Sequence, residues 1–202
     1  MRGVVYVAYG EAARREAGLS IASMQEHNEG LPVSVIGAEP LGRIPWIRCD
    51  LPVERNRWAK LSLDNLSPYA QTLYMDADTR VNGSVLAGFE ILEDGWDMAI
   101  ALSKNQSVDW LWHCGEADRQ LTETCLRHKG LQYGAGVMFI AWNERTRALF
   151  TAWRGEWGAF CGQDQGAFMR ALQRVRVRLW VLGGTWNGGA LVTHRYGMAR
   201  AA

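Results

Sequence analysis

Four cysteines, Cys49, Cys114, Cys125 and Cys161, are scattered irregularly through 202 residues, and no two form a CxxC pair. That spacing excludes a disulfide framework and predicts reduced structural thiols. His113-Cys114, Cys125 and His128 could supply zinc ligands, but they match no standard spacing. A loop and helix carrying ordinary polar residues explains them. Charge of one sign is also scarce. The formal net charge of +1 excludes bulk electrostatic attraction to nucleic acid or membrane. No apolar run approaches the roughly 20 residues that span a bilayer. The opening MRGVVYVAYG has no long apolar stretch and no convincing cleavage site, and it runs straight into a charged helical pattern. It is read as a first strand, and the protein is expected in a cytoplasm. Repeats, low-complexity tracts and linkers are missing.

What is present is ordinary globular composition, 48% hydrophobic and 21% charged. The length suits one buried domain, 1–202, better than two. Ten tryptophans are many for this length. Their faces stack on sugar rings, but they fill cores and interfaces equally well.

Val4 to Tyr9 predicts a buried strand closed by Gly10. Ala13, Ala17, Ile21 and Met24 then fall on one helical face within 11–27. Val33 to Ile36 reads as a second strand. Strand, helix, strand argues for a parallel sheet with right-handed crossovers. Further on, 54–66 predicts a helix with Trp58, Leu61 and Leu66 inward. Strands are expected over 72–75, 98–102, 137–142 and 175–182, with a last short one near 190–193. Helices are expected over 85–92, 144–153 and 163–173. Residues 103–130 predict an irregular insertion or short helices. The sum is one α/β domain.

The strongest local feature is Leu73-Tyr74-Met75-Asp76-Ala77-Asp78. A strand ending in two carboxylates one residue apart puts acids at the carboxyl edge of a sheet, where open α/β sheets bind ligands. In a regular strand Asp76 and Asp78 would share a side. Converging carboxylates repel unless a cation sits between them, and a hard divalent cation can then hold a diphosphate. A simple turn also explains the pair. Three further features are His194 to Arg200 after a Gly-rich loop, Gly162 to Gly166 before a helix, and Tyr133-Gly134-Ala135-Gly136-Val137. Read singly, they are a basic tail, a helix cap and a turn. Read as chemistry, they are a mixed N and O ligand set favouring Mn²⁺ over Mg²⁺, polar groups for sugar hydroxyls, and a close backbone approach.

In this order the motifs resemble glycosyltransferase family 8, the glycogenin and lipopolysaccharide galactosyltransferase type, with the GT-A fold. The resemblance runs through most of the chain. It implies a mixed, mostly parallel sheet flanked by helices. Ala8 and Tyr9, ending the first strand, would contact uracil or ribose. Lys60 in Trp58-Ala59-Lys60-Leu61 would reach the donor sugar or phosphate. Asp76-Ala77-Asp78 is the DxD. Gly134-Ala135-Gly136-Val137 stands for Asn-Ala-Gly-Val with the Asn lost. Gln163-Asp164-Gln165-Gly166 stands for Gln-Asp-Gln-Asp with the last acid lost. His194, Gly197 and Arg200 match His-x-x-Gly-x-x-Lys, with Arg for Lys.

The resemblance implies Asp76, Asp78 and His194 as ligands of Mn²⁺, with Mg²⁺ also allowed, and a UDP-sugar as donor. Asp76 would also touch the ribose. Arg200 would stabilise the leaving diphosphate, and Asp164 and Gln165 would line the reacting sugar. Transfer would proceed with retention. Trp110, Trp112 or Trp186 could stack on an acceptor, which stays open among glycan, protein, lipid and modified nucleobase. A chain ending soon after Arg200 is expected to be a minimal version, without the C-terminal extension many relatives use for membrane or acceptor contact. Other readings are a non-catalytic nucleotide-sugar-binding module, which the losses at Gly134 and Gly166 keep open, a nucleotidyltransferase and, more weakly, a metal-free phosphatase. The second lacks its Gly-rich phosphate loop near the N-terminus.

Overall fold

A computed structural model describes residues 1–103, 111, 113–126 and 131–197. In chain order the strands are β1 (Arg2–Val7), β2 (Val33–Gly37), β3 (Trp46–Arg48), β4 (Gln71–Met75), β5 (Thr79–Val81), β6 (Met98–Leu102), β7 (Tyr133–Ala141), β8 (Leu179–Leu182) and β9 (Val192–His194). The helices are α1 (Gly10–His27), α2 (Asn56–Leu61), α3 (Leu63–Leu66), α4 (Leu86–Glu93), α5 (Glu116–Cys125), α6 (Glu144–Gly158) and α7 (Gln165–Arg174). Seven strands form one sheet in the order β3-β2-β1-β4-β7-β6-β8, and β5 pairs with β9 apart from it.

Strand alternation sorts the core into two layers. Val4, Tyr6, Leu73, Met75 and Phe139 face one side of the sheet, where α1 and α4 cover them through Ala17, Ile21, Met24 and Phe89. Val5, Tyr74, Met138 and Ile140 face the other, under Leu149, Phe150 and Trp153 of α6 and Phe168 of α7. Each large side chain buried this way contributes about 1.5–3 kcal/mol relative to exposure. The stripe expected on α1 is the one that is buried.

Strand β7 runs antiparallel to both β4 and β6, while the other neighbouring pairs in the large sheet are parallel. This reversal matters for the site. It brings the start of β7, with Gly134 and Gly136, to the edge where β1 and β4 end.

Several boundaries differ from the sequence expectation. The helix expected over 54–66 breaks at Ser62, between α2 and α3. Trp58 is not inward but 40% exposed, its ring 6.2 Å from Trp157. Strand β7 starts at Tyr133 rather than 137. The 103–130 region contains α5, and its buried residues, Asp118 and Thr122, are polar. No helix among the described residues is long and apolar enough to cross a membrane.

Candidate metal centre

The buried run of β4 ends at Met75, and the Asp76 amide donates to the Gly136 carbonyl at 2.8 Å. The chain does not continue as a strand there. It turns through Ala77-Asp78 and enters β5. Convergence of the two carboxylates therefore comes from the turn and not from strand alternation. β5 then pairs with β9 so that Thr79 lies opposite His194. This short ladder carries the imidazole across more than a hundred residues of sequence to the acids. Further bonds tie the turn down. The Thr79 hydroxyl donates to the Asp76 carbonyl at 2.8 Å, Arg195 N–H to the Asp78 carbonyl at 2.9 Å, and Gly197 N–H to Asp78 Oδ2 at 2.8 Å. Gly197 has φ +89°, a left-handed conformation that favours glycine.

His194 Nε2 lies 3.1 Å from Asp78 Oδ1 and 3.7 Å from Asp76 Oδ2. One ligand atom from each residue lies within 4.8 Å of the others, and this is the cluster of metal-ligand type among the described residues. Its chemistry fits a divalent ion. Asn187 Nδ2 donates to the Gly134 carbonyl at 3.0 Å, so its Oδ1 faces His194 Nδ1, 2.6 Å away. A carbonyl oxygen only accepts, so Nδ1 carries the proton and Nε2 is turned toward the acids. Burial would raise the Asp78 carboxyl, but the neighbouring His194 and the Gly197 amide hold it below the ordinary carboxylate range. Tyr196 stacks on the His194 ring at 4.0 Å and 17°.

A second charged group adjoins the first. Lys60 Nζ lies 2.7 Å from Asp164 Oδ2 and 3.8 Å from Asp76 Oδ1. Burial would lower the Lys60 ammonium, but Asp164 and then Asp76 outweigh it and raise it. Burial would raise Asp164, but Lys60 and Arg57 hold it low. Asp164 is the residue before α7, yet its side chain makes no capping bond. The carboxylate is committed to Lys60 instead, so the helix-cap reading does not hold. Tyr74 donates to Asp76 Oδ1 at 2.7 Å, and Arg57 to Gln163 Oε1 at 2.7 Å.

These groups line a cavity of about 1150 Å³ at the carboxyl ends of β1 and β4. Of the residues singled out in the sequence, Tyr9, Lys60, Asp76, Ala77, Asp78, Gly134, Ala135, Gly136, Asp164, Gln165, His194 and Gly197 line it. Ala8 does not. It is 1% exposed and packs within the core. Arg200, Trp110, Trp112 and His128 fall outside the described residues. Trp186 packs edge-on against Phe139 at 5.5 Å, away from the cavity. Burial pushes the Cys114 thiol up to about 11, so it rests as a neutral thiol.

Asn187, Arg57, Tyr74 and Tyr196 also line the cavity and were not singled out. Tyr196 lies inside the His-x-x-Gly motif, and that was the available signal. Asn187 sits in a Gly-rich loop that sequence reads only as a turn.

No protein-family model matches the chain, and no curated protein sequence matches it. Solved structures do. The galactosyltransferase LgtC, bound to donor and acceptor sugar analogues, is 16% identical, with a TM-score of 0.60 over 93% of this chain and 75% of that one. The glycosyltransferase GlyE of Streptococcus pneumoniae is 20% identical, with a TM-score of 0.60 over 93% of this chain and 47% of that one. Mouse xyloside xylosyltransferase 1 is 12% identical with a TM-score of 0.62, covering 100% of both chains. The chain thus spans about half the length of GlyE. At these identities the likeness shows the fold, which is the GT-A fold.

Proposed function

We propose that the chain is a metal-dependent glycosyltransferase that takes a sugar from a nucleotide-diphosphate donor, a UDP-sugar, and passes it to an acceptor with retention. The observation that carries this reading is the convergence of Asp76, Asp78 and His194 in the lining of the cavity. The glycosyltransferase names of the structures that share the fold support it. Asp76, Asp78 and His194 would hold Mn²⁺ or Mg²⁺. When bound, the ion supplies positive charge opposite the donor diphosphate, where negative charge grows as the glycosidic bond breaks.

The chain's own residues supply the rest. Tyr9, its hydroxyl tied to the Cys49 carbonyl at 2.7 Å, offers a fixed ring to the base. Lys60 holds Asp164 and Asp76 at a set separation and presents Asp164 beside Gln165 to the sugar. Gly136 makes room for the metal-binding side chains rather than for the donor: a Cβ there would lie 2.5 Å from His194 Cε1 and 2.8 Å from Asp76 Oδ2. In the transfer, the bond from the anomeric carbon to the diphosphate breaks as the acceptor oxygen bonds that carbon. The acceptor proton passes to the leaving diphosphate. Arg200 is assigned to the charge left there.

Two measurements test this. Incubation with UDP-sugars and Mn²⁺ is expected to release UDP slowly even without an acceptor; binding with no release would favour the non-catalytic module. Asp78→Asn is expected to abolish Mn²⁺-dependent UDP affinity in calorimetry with the fold intact, and unchanged affinity would refute the metal assignment.

A further inference from the structure

We infer that Asn187 is the positioning residue for the His194 ligand, and that residue 134 is glycine because the Asn187 amide fills the space a side chain there would need. This deepens the proposed function and rests on its metal site.

Asn187 is 5% exposed and lies between the helical turn Gly184–Trp186 and β9. Both ends of its amide are used, toward the Gly134 carbonyl and toward His194 Nδ1. The first bond fixes which end is oxygen, and so fixes what the second can be. The imidazole is thereby locked against rotation with Nε2 aimed at Asp76 and Asp78. Backbone around the amide holds it in turn. The Tyr196 hydroxyl donates to the Asn187 carbonyl at 3.3 Å while its ring lies on His194. Gly188, next in sequence, has φ +93°, and a Cβ there would come within 2.7 Å of the Tyr196 hydroxyl.

The reciprocal constraint sits on β7. A Cβ on Gly134 would lie 2.6 Å from Asn187 Nδ2, with the Leu102 carbonyl at 3.3 Å behind it. A side chain at 134 must therefore shift the Asn187 amide nitrogen, which disturbs the bond to the Gly134 carbonyl and, through the same amide, the one to His194. The two residues act as one unit reaching a metal ligand, although neither is a ligand.

Calorimetric titration of the whole chain with Mn²⁺ tests this. Asn187→Leu keeps the volume and removes the acceptor. Its Mn²⁺ affinity is expected to fall about 10- to 100-fold, as for other partners behind a ligand histidine. Asn187→Asp keeps an acceptor for Nδ1 but sets its second oxygen against the Gly134 carbonyl, so its Mn²⁺ affinity is expected to fall clearly less than that of Asn187→Leu. Gly134→Ala is expected to weaken Mn²⁺ by at least about fivefold. The Asn187→Leu/Gly134→Ala pair should be no weaker than Asn187→Leu alone, because both remove the same contact. Gly134→Ala carries the test by itself if Asn187→Leu does not fold. Mn²⁺ affinity within twofold of the parent in a folded Asn187→Leu chain overturns the inference, as does a loss in Asn187→Asp equal to that in Asn187→Leu. If the parent chain binds no Mn²⁺, or binds it as well after Asp78→Asn, the metal reading itself fails. The pattern across variants thus tells the two failures apart.

Discussion

Replacing Lys60 with methionine strips one cation from two carboxylates at once, and its effect on stability should depend on pH in a way that can be worked out. Coulomb's law at an effective dielectric constant of about 20 gives an attraction of about 6 kcal/mol to Asp164 at 2.7 Å and about 4 kcal/mol to Asp76 at 3.8 Å. Most of this is offset by the cost of burying the ammonium, which the variant no longer bears. What remains is a buried Asp164 without its main partner. It can escape by binding a proton, which for a carboxyl of ordinary value near 3.9 costs about 4 kcal/mol at pH 7. That sets a ceiling, and the expected loss is about 3–4 kcal/mol at pH 7.

In the parent, Asp164 is held low, so it stabilises the fold above the ordinary carboxylate range and changes little between pH 5 and 7. In Lys60→Met the same carboxyl is raised. The folded state then binds more protons than the unfolded one, and stability falls as pH rises. The gap between the two proteins should therefore narrow by about 1.4 kcal/mol for each unit of pH lowered from 7 toward 5. Asp164→Asn should cost less, about 2 kcal/mol, because Lys60 keeps Asp76. Urea unfolding with EDTA at pH 5, 6 and 7 measures all three proteins. A Lys60→Met loss that is flat with pH, or smaller than that of Asp164→Asn, would refute the reasoning.

Asp97 supplies a second pH test. It is 2% exposed and accepts from both arms of Arg145 at 2.7 Å, from Asn143 at 2.7 Å and from the Arg178 amide at 2.8 Å. Burial raises its carboxyl, but these bonds outweigh it and hold it low. Its stabilisation is present above the ordinary carboxylate value and fades as pH falls through the lowered one. Asp97→Asn should cost about 2 kcal/mol at pH 7, and the gap should narrow as pH falls below the ordinary carboxylate value, as urea midpoints would show. Gly136→Ala should weaken Mn²⁺ by at least about tenfold, because its Cβ would press on two ligands, and should cost about 1–3 kcal/mol of stability. Calorimetry and thermal melting check both halves. Trp186→Ala should lower the melting temperature while leaving Mn²⁺ affinity unchanged, because its ring packs on Phe139 and not on the cavity.

Where apolar periodicity is long, the chain could be read. The stripe of α1 and the buried run of β4 are both in this class, and with them the acids that β4 delivers. The shortest elements were opaque. Thr79–Val81 was not anticipated, and the last strand was expected near 190–193 rather than at Val192–His194. Each has three residues, too few for alternation to stand out. Yet their pairing is what joins His194 to Asp78. Helix α5 was hidden for a different reason. Its inward residues are Asp118 and Thr122, which face Arg170. Its apolar residues, Ala117, Leu121 and Cys125, are exposed instead, so the usual rule of apolar side inward fails there. Trp58 misled as well, an apolar residue that lies partly exposed beside Trp157.

Two departures from the family pattern counted in sequence as losses of site groups, and the structure separates them. At Gly134 the missing amide has a substitute: Asn187 brings one to the same space, at the cavity wall and in contact with His194. At Gly166 the space is also taken, because a Cβ there would lie 2.9 Å from Asp118 Oδ1 and 3.0 Å from the Thr122 hydroxyl. That acid, however, is buried, bound to Arg170 at 2.6 Å and absent from the cavity lining. Asp118 replaces the volume of the lost carboxylate and not its access to a sugar. The choice between enzyme and binding module therefore does not turn on Gly134. On the proposed function it turns on whether Asp164, locked to Lys60, and Gln165 would suffice at the reacting carbon without a third polar group beside them. A Gly166→Asp chain would not answer this, since the new carboxylate would meet Asp118 and Thr122 rather than the cavity. Release of UDP by the unaltered chain would.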